Sequence, residues 1–400
     1  MEHDPQERRR RRREKAERRW EKRKKLLIRL GIGIGIVALC VILVVAIAKG
    51  KKTDKPDTVI HIVFGGDVNV TDNVVASGGA NYDYTQTFLD VASIFGDADL
   101  SVVNFEGILY GAPYGSEGKG SAPQQLMEAL DKAGVDVVQT ANSYTLNRGA
   151  STLAMTLDGI RAAGMEPVGT YASSKEAKEG GGYILCDVDG VKVAFVAFTK
   201  GMGGNAIPRN FAGCVNVLYK DYNDNYQQVD TEGIKKVLKA VNKSDADVVI
   251  ALVHWGSEHD DIISGSQKEI LALLQSNGVD AVIGTHAHRV QEMVFDEEKG
   301  TFVAYCLGDL IGDAPRSGSE YSVLLDLQIT KDGDTGQVKI SGFDYTPIFT
   351  VREEGRPVQV VRIREAIQAY ENGYINAVSP ETYNAMQYAL TRIEARVNGE

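Results

Sequence analysis

From residue 58 onward the chain alternates short, strongly apolar runs with longer stretches of amphipathic spacing. VIHIVFGGD (59–67), LSVVNFEG (100–107), VDVVQTAN (135–142), KVAFVAFT (192–199), DVVIALVHWG (247–256), DAVIGTH (280–286), TFVAYCLGD (301–309) and YSVLLDLQI (321–329) read as strands. Runs so apolar on both alternating faces predict strands buried on both sides, in a largely parallel sheet covered by helices. PQQLMEALDKAG (123–134), STLAMTLDGIRAAG (151–164), DTEGIKKVLKAVNKS (230–244) and SQKEILALLQSNG (266–278) carry helical spacing. Several of these stop on Gly, a common helix terminator. The class is α/β.

After Thr350 the pattern changes. VREEGRPVQ (351–359) is a polar break, and VVRIREAIQAYENG (360–373) and SPETYNAMQYALTRIEARVNG (379–399) read as two helices. Ser379 before Pro380 is a strong start signal. Tyr383, Met386 and Leu390 would face the body or a partner. Residues 351–400 thus read as a C-terminal helical extension.

The N-terminal part follows another rule. Residues 30–48 are nineteen consecutive uncharged residues without a polar face, close to the ~20 that a helix needs to cross ~30 Å of hydrocarbon. Residues 1–29 carry fourteen Lys and Arg against six Asp and Glu. With a linker at 49–57 that adds a net +2, the whole-chain charge of −10 leaves −20 for residues 58–400. The positive-inside rule puts residues 1–29 in the cytosol and the acidic body outside the cell. The run is longer than the 7–15 residues of a cleavable signal, which favours an uncleaved signal anchor in the cell membrane over removal after Ala48. The arginine tract is a topology determinant beside the lipid bilayer, and no nucleic-acid partner is expected. Three of the four cysteines fall outside the span, too few for a disulfide framework.

In open α/β sheets function collects at the carboxyl ends of strands. Those ends present Asp67 and Asn69, Asn104 and Glu106, the loop TANSYTLNRG (140–149), His254, Glu258 and His259, His286 and His288, and Asp309 and Asp313. Two His at i and i+2 share one side of an extended segment, so His286 and His288 are expected to reach one site. Carboxylates mixed with imidazoles suit Zn²⁺, Mn²⁺ or Fe²⁺ better than a nucleotide phosphate. No dinucleotide fingerprint, P-loop or nucleophile elbow competes.

The ordered set GGD, NFEG, TAN, HWG, GTHAH and LGD resembles the capsule and poly-γ-glutamate synthesis family of the CapA type, related to calcineurin-like metallophosphoesterases. The resemblance runs over residues 59–347 and implies a four-layer α/β/β/α sandwich with the site between two sheet edges. It implies one or two divalent ions held by Asp67, Glu106, His254, His286 and His288, with Asn104 orienting the site. Two such ions lie ~3.5–4 Å apart and polarise a phosphoryl or acyl group. The loop 140–149 departs from the family's Ala-Asn-Asn-His: Ser143 stands where an Asn ligand is expected, Tyr144 where an acid His is expected, and Asn147 where Asp is. Asn69, Asn142 and Ser143 are the substitute ligands available, and Tyr144 the substitute acid.

Two functions follow from the resemblance. One is a membrane-anchored, metal-dependent hydrolase acting outside the cell on a phosphoester or amide. The other is an accessory that binds or guides an anionic polymer such as poly-γ-glutamate beside membrane-bound synthesis or export subunits. An acidic body needs local cations for that role, and Arg148, Lys200 and Arg289, with Arg209 and Arg316, lie in the right loops.

Overall fold

The computed structural model describes Trp20, Lys24, Lys25 and residues 55–400 except Pro315 and Asn376. The apolar span 30–48 lies outside the described residues, and among the described residues no helix is long and apolar enough to cross a membrane. Asp57–Glu400 is one compact unit.

Among the described residues fourteen strands build two sheets. Chain order gives β1 Thr58–Asn69, β2 Leu100–Glu106, β3 Val137–Gln139, β4 Glu166–Val168, β5 Tyr183–Val188, β6 Val191–Thr199, β7 Val248–His254, β8 Ala281–Thr285, β9 Met293–Asp296, β10 Thr301–Ala304, β11 Asp309–Ile311, β12 Tyr321–Lys331, β13 Val338–Val351 and β14 Gln359–Arg362. One sheet runs β14-β13-β12-β1-β2-β3-β4 with β11 also paired to β1; the other runs β5-β6-β7-β8-β10-β9. The expectation of a largely parallel sheet is corrected. Parallel pairs run from β1 through β2 and β3 to the edge strand β4 in the first sheet and join β6, β7, β8 and β10 in the second, while β12 pairs antiparallel with β1 and antiparallel hairpins close β12–β13–β14 on one sheet and β5–β6 and β9–β10 on the other. Alternation along the added strands betrays them: β13 buries one face and exposes the other over its first half.

Three apolar clusters define the layers. One joins Ile60, Ile62 and Phe64 of the first sheet to Val193, Phe195 and Ile250 of the second, with Phe64 and Phe195 meeting edge to face at 6.5 Å. Such a pair adds about 0.5–1.5 kcal/mol beyond the area it buries. A second cluster covers the first sheet's outer face with Leu126, Met127 and Leu130 of the helix Gln124–Ala133. A third covers the second sheet with Ile234, Leu238, Ile270 and Leu274 of the helices Thr231–Val241 and Gly265–Gln275.

The segment after Thr350 is part of this body. β13 continues to Val351, and β14 takes Gln359–Arg362, residues whose apolar run reads as a helix start, into the sheet edge. The helix Pro380–Val397 then packs Met386, Ala389, Ile393 and Val397 into the inter-sheet cluster. Ser379 caps it by accepting from the Thr382 amide, as its Ser-Pro start requires.

Candidate metal centre

The carboxyl ends of β1 and β2 lie side by side with β11. Asp67 is in register with Asn104 of β2 on one side and with Asp309 of β11 on the other. The register slips at Gly65-Gly66, where β1 bulges. Gly66 has φ +75°, and a Cβ there would lie 2.2 Å from the Gly308 carbonyl oxygen, so only glycine allows the strands this close. Asn104 Nδ2 donates to Asp67 Oδ1 at 2.6 Å. Glu106 stands two residues further along β2, fully buried.

The second sheet supplies imidazoles. His254 ends β7 in register with Thr285 of β8, whose hydroxyl lies 3.2 Å from His254 Nδ1. That contact leaves Nε2 on the side of Glu106, 3.2 Å from its Oε1. His286 and His288 reach the same cleft by a route the sequence does not show. β8 ends at Thr285, and both histidines are left-handed, with φ 88° and 54°. Their convergence comes from a tight loop and not from strand alternation. The His286 amide donates to Asp67 Oδ2 at 3.0 Å, and His288 Nδ1 lies 2.7 Å from Asp309 Oδ1.

Three overlapping groups result: Glu106 with His286 and His288, Asp67 with His288 and Asp309, and Asp67 with Glu106 and His254. Within each group the ligand atoms lie within 4.8 Å of one another. Asp309 is the member that the ligand set drawn from the resemblance lacks. Its signal was the LGD at a strand end, but β11 is three residues long and carries no periodicity of its own. Asp313 is elsewhere, accepting from the Thr71 hydroxyl. Glu258 is exposed, and His259 is half-buried, its ring 5.3 Å from that of His288 and its Nδ1 3.1 Å from the Ser319 hydroxyl.

All six donor residues are at most 6 % exposed. Burial raises the pKa of Asp67, and burial together with the Asp67 charge raises that of Glu106. Burial pushes His254 and His286 well below the ordinary imidazole value, so both are neutral imidazoles at pH 7. Burial also opposes a charge on His288, but Asp309, Glu106 and Asp67 outweigh it and hold its pKa well above the ordinary value. Glu106 Oε1 and His286 Nδ1 are buried without a hydrogen-bond partner; His254 Nε2 is close to the former but not aligned with it. Orphaned buried acceptors carry a desolvation penalty of about 1–3 kcal/mol each. Two unsatisfied lone pairs among crowded carboxylates and neutral imidazoles fit a divalent cation, and Zn²⁺, Mn²⁺ or Fe²⁺ match this donor chemistry.

The loop after β3 closes the cleft differently. Asn142 is fully engaged: Nδ2 donates to Asn104 Oδ1 at 3.0 Å and to the Phe105 carbonyl at 2.6 Å, while Oδ1 accepts from the Tyr144 amide. Ser143 faces the donor cluster, its hydroxyl 3.1 Å from His254 Nε2. Tyr144 lays its ring against Gly120, where a Cβ would meet it at 2.5 Å. Its hydroxyl donates to Asn69 Oδ1 at 3.4 Å. Burial, then the Glu106 charge, raises the phenol's pKa further, so it stays protonated. Asn147 points away and ties the loop to the Lys119 carbonyl at 2.8 Å.

Of the cationic residues, three are engaged. Arg148 donates to the Gly118 carbonyl and lies over the Tyr110 ring. Lys200 donates to the Gly256 carbonyl at 2.6 Å over the Tyr226 ring, and Arg289 pairs with Asp261 at 2.9 Å. Arg209 and Arg316 are exposed.

The family profile described as "Bacterial capsule synthesis protein PGA_cap" matches residues 61–314, which include every donor named above. The chain belongs to this family. The "Capsule biosynthesis protein CapA" of Bacillus anthracis is 27 % identical over 218 residues, covering 53 % of this chain and 49 % of that protein. The match therefore spans about half the length of that relative. The "PGA biosynthesis protein CapA" of Bacillus subtilis (strain 168) is 25 % identical over 296 residues, 72 % of each chain. Among solved structures, a novel phosphatase of Mycoplasma pneumoniae aligns at a TM-score of 0.44 and 16 % identity over 74 % of this chain and 95 % of its own. A hypothetical protein of Thermus thermophilus aligns at 0.41 and 17 %, over 72 % of this chain and 98 % of its own. The matched residues join the carboxylate–imidazole cluster to a loop that carries Ser143 and Tyr144.

Proposed function

We propose that this PGA_cap protein is held in the cell membrane by residues 30–48. Its body lies outside the cell, where it serves the synthesis of an anionic capsule polymer such as poly-γ-glutamate, beside membrane-bound synthesis or export subunits. Its cleft binds one or two divalent ions through Asp67, Glu106, His254, His286, His288 and Asp309. The observation that carries the ion-binding part is the pair of orphaned acceptors, Glu106 Oε1 and His286 Nδ1, inside three overlapping donor groups. The polymer comes from the family and from its two CapA relatives.

Bound there, a divalent ion supplies Lewis-acid polarisation of a phosphoryl or acyl oxygen. The chain's own residues divide the rest. Asn104 and the His286 amide fix both oxygens of Asp67. Thr285 orients His254, and Asp309 orients His288. Tyr144 presents a protonated phenol at the cleft, a hydrogen-bond donor but a poor proton source at neutral pH. Six donors gather in the cleft while the acid is weak, which favours binding and guidance of the polymer with little turnover. Exposed Arg209 and Arg316 are the cations left to meet a polyanion.

A second reading, a working extracellular phosphoesterase or amide hydrolase, is favoured by the same donor set. Metal content of the full chain, purified in detergent without chelator and measured by plasma mass spectrometry, tests the shared premise. One or two equivalents are expected, falling to background in His286→Ala and Asp67→Ala. A folded wild-type chain that holds none after exposure to Mn²⁺, Zn²⁺ and Fe²⁺ overturns both readings. Hydrolysis of generic phosphoester and γ-glutamyl substrates by the loaded protein then separates them.

A further inference from the structure

The helix Pro380–Val397 lies beyond residues 61–314, yet its last turn reaches the loop that carries His286 and His288. Arg396, 9 % exposed, donates to both carboxylate oxygens of Asp261 and, at 3.4 Å, to the Val290 carbonyl. Asp261 Oδ1 also accepts from Arg289 Nη1 at 2.9 Å, and Arg289 Nη2 donates to the Ser317 carbonyl at 2.6 Å. One carboxylate therefore joins two guanidiniums, one from the C-terminal helix and one from the residue after His288. The neighbouring loop adds the His259 amide, which donates to the Ala287 carbonyl at 2.9 Å.

His286 and His288 both hold left-handed backbone, a conformation that non-glycine residues keep only where the surroundings over-determine it. The inner side of the loop is held by the His286 amide on Asp67 and by His288 Nδ1 against Asp309 Oδ1. Its outer side is held by the Arg396–Asp261–Arg289 bridge. We propose that Arg396, acting through Asp261, is a positioning residue for the donor cluster, so that the C-terminal helix sets the affinity of the cleft for its cation. Arg396 touches no donor atom; it fixes the backbone from which two donors project. This rests on the metal reading above.

The test is Mn²⁺ affinity of the full chain by calorimetry, paired with hydrogen exchange of amides 286–291 in the metal-free protein. Arg396→Ala and Asp261→Asn are each expected to weaken Mn²⁺ binding by roughly tenfold, the lower end for partners that orient ligands. The double variant should be no weaker than either single one, because both break the same bridge. Arg396→Lys keeps the charge and loses the fork, so its affinity should fall between wild type and Arg396→Ala; it also carries the test if the alanine variant does not fold. Both variants should exchange faster at 286–291. Unchanged affinity together with unchanged exchange, in a variant whose C-terminal helix still packs, overturns the proposal. If the wild type binds none of Mn²⁺, Zn²⁺ and Fe²⁺, the metal reading has failed on its own, and the exchange data alone decide the clamp.

Discussion

The loops after β8 and after β3 face one cleft and are built on opposite principles. The β8 loop is strained and incomplete: two left-handed histidines, one with a buried nitrogen that has no partner. The β3 loop also holds one left-handed residue, Arg148, but its polar groups are engaged: Asn142 satisfies three groups, Tyr144 rests on Gly120 and donates to Asn69, and Asn147 is tied to a neighbouring carbonyl. Unfinished hydrogen bonding marks where something binds. Finished hydrogen bonding marks a wall. Ser143 and Tyr144 belong to the wall.

Rebuilding the wall should show the largest effect. Ser143→Asn with Tyr144→His returns an amide and an imidazole to the cleft, and a positioned acid contributes typically ~10²–10⁴-fold. Turnover of a generic phosphoester by the metal-loaded double variant should rise about a hundredfold over wild type. No gain, with metal content intact, would show that the β3 loop is not what limits chemistry.

Acidity gives the next effect. His288 carries a raised pKa in the metal-free protein because Asp309, Glu106 and Asp67 outweigh its burial. As a ligand it must be neutral, so cation binding expels a proton. Below the raised pKa of His288 the affinity should therefore rise at least tenfold per pH unit, since Asp67 and Glu106, also raised by burial, shed protons to the cation as well. It should level off above that pKa. Calorimetry in buffers of different ionisation enthalpy would read the released proton, and buffer-independent heats would remove His288 from the ligand set. The smallest effect is expected from Asn147→Ala, which cuts the tie to Lys119. One half-exposed hydrogen bond is worth about 0.5–1.5 kcal/mol, measurable by urea denaturation, with cation affinity unmoved.

Much of this could be read from sequence, for reasons that explain the gaps. Long apolar runs such as DVVIALVHWG announce buried strands because every side chain meets a neighbour. β4 and β11, three residues each, offer no period to detect, and with β11 went Asp309's place among the donors. β14 was hidden because VVRI satisfies a helix pattern and a strand edge equally well; pairing with β13 decided between them. The convergence of His286 and His288 follows from their closeness in sequence, but its mechanism does not, since positive φ at a histidine has no signature in residue type. The departures at Ser143 and Tyr144 were plain, whereas the bonds that make them a wall depend on Asn104, Asn69 and Gly120 from three other segments.

The contact between Gly66 and the Gly308 carbonyl acts as a ruler. It fixes the separation of Asp67 and Asp309 by backbone against backbone, with no side chain to vary. A lineage carrying this fold can therefore exchange the residues of the β3 loop, and with them its chemistry, while the spacing of its anions stays the same. At position 66 it has no such freedom. Any side chain there would part the two strands and move both carboxylates at once, so the smallest residue in the site is the one least open to change.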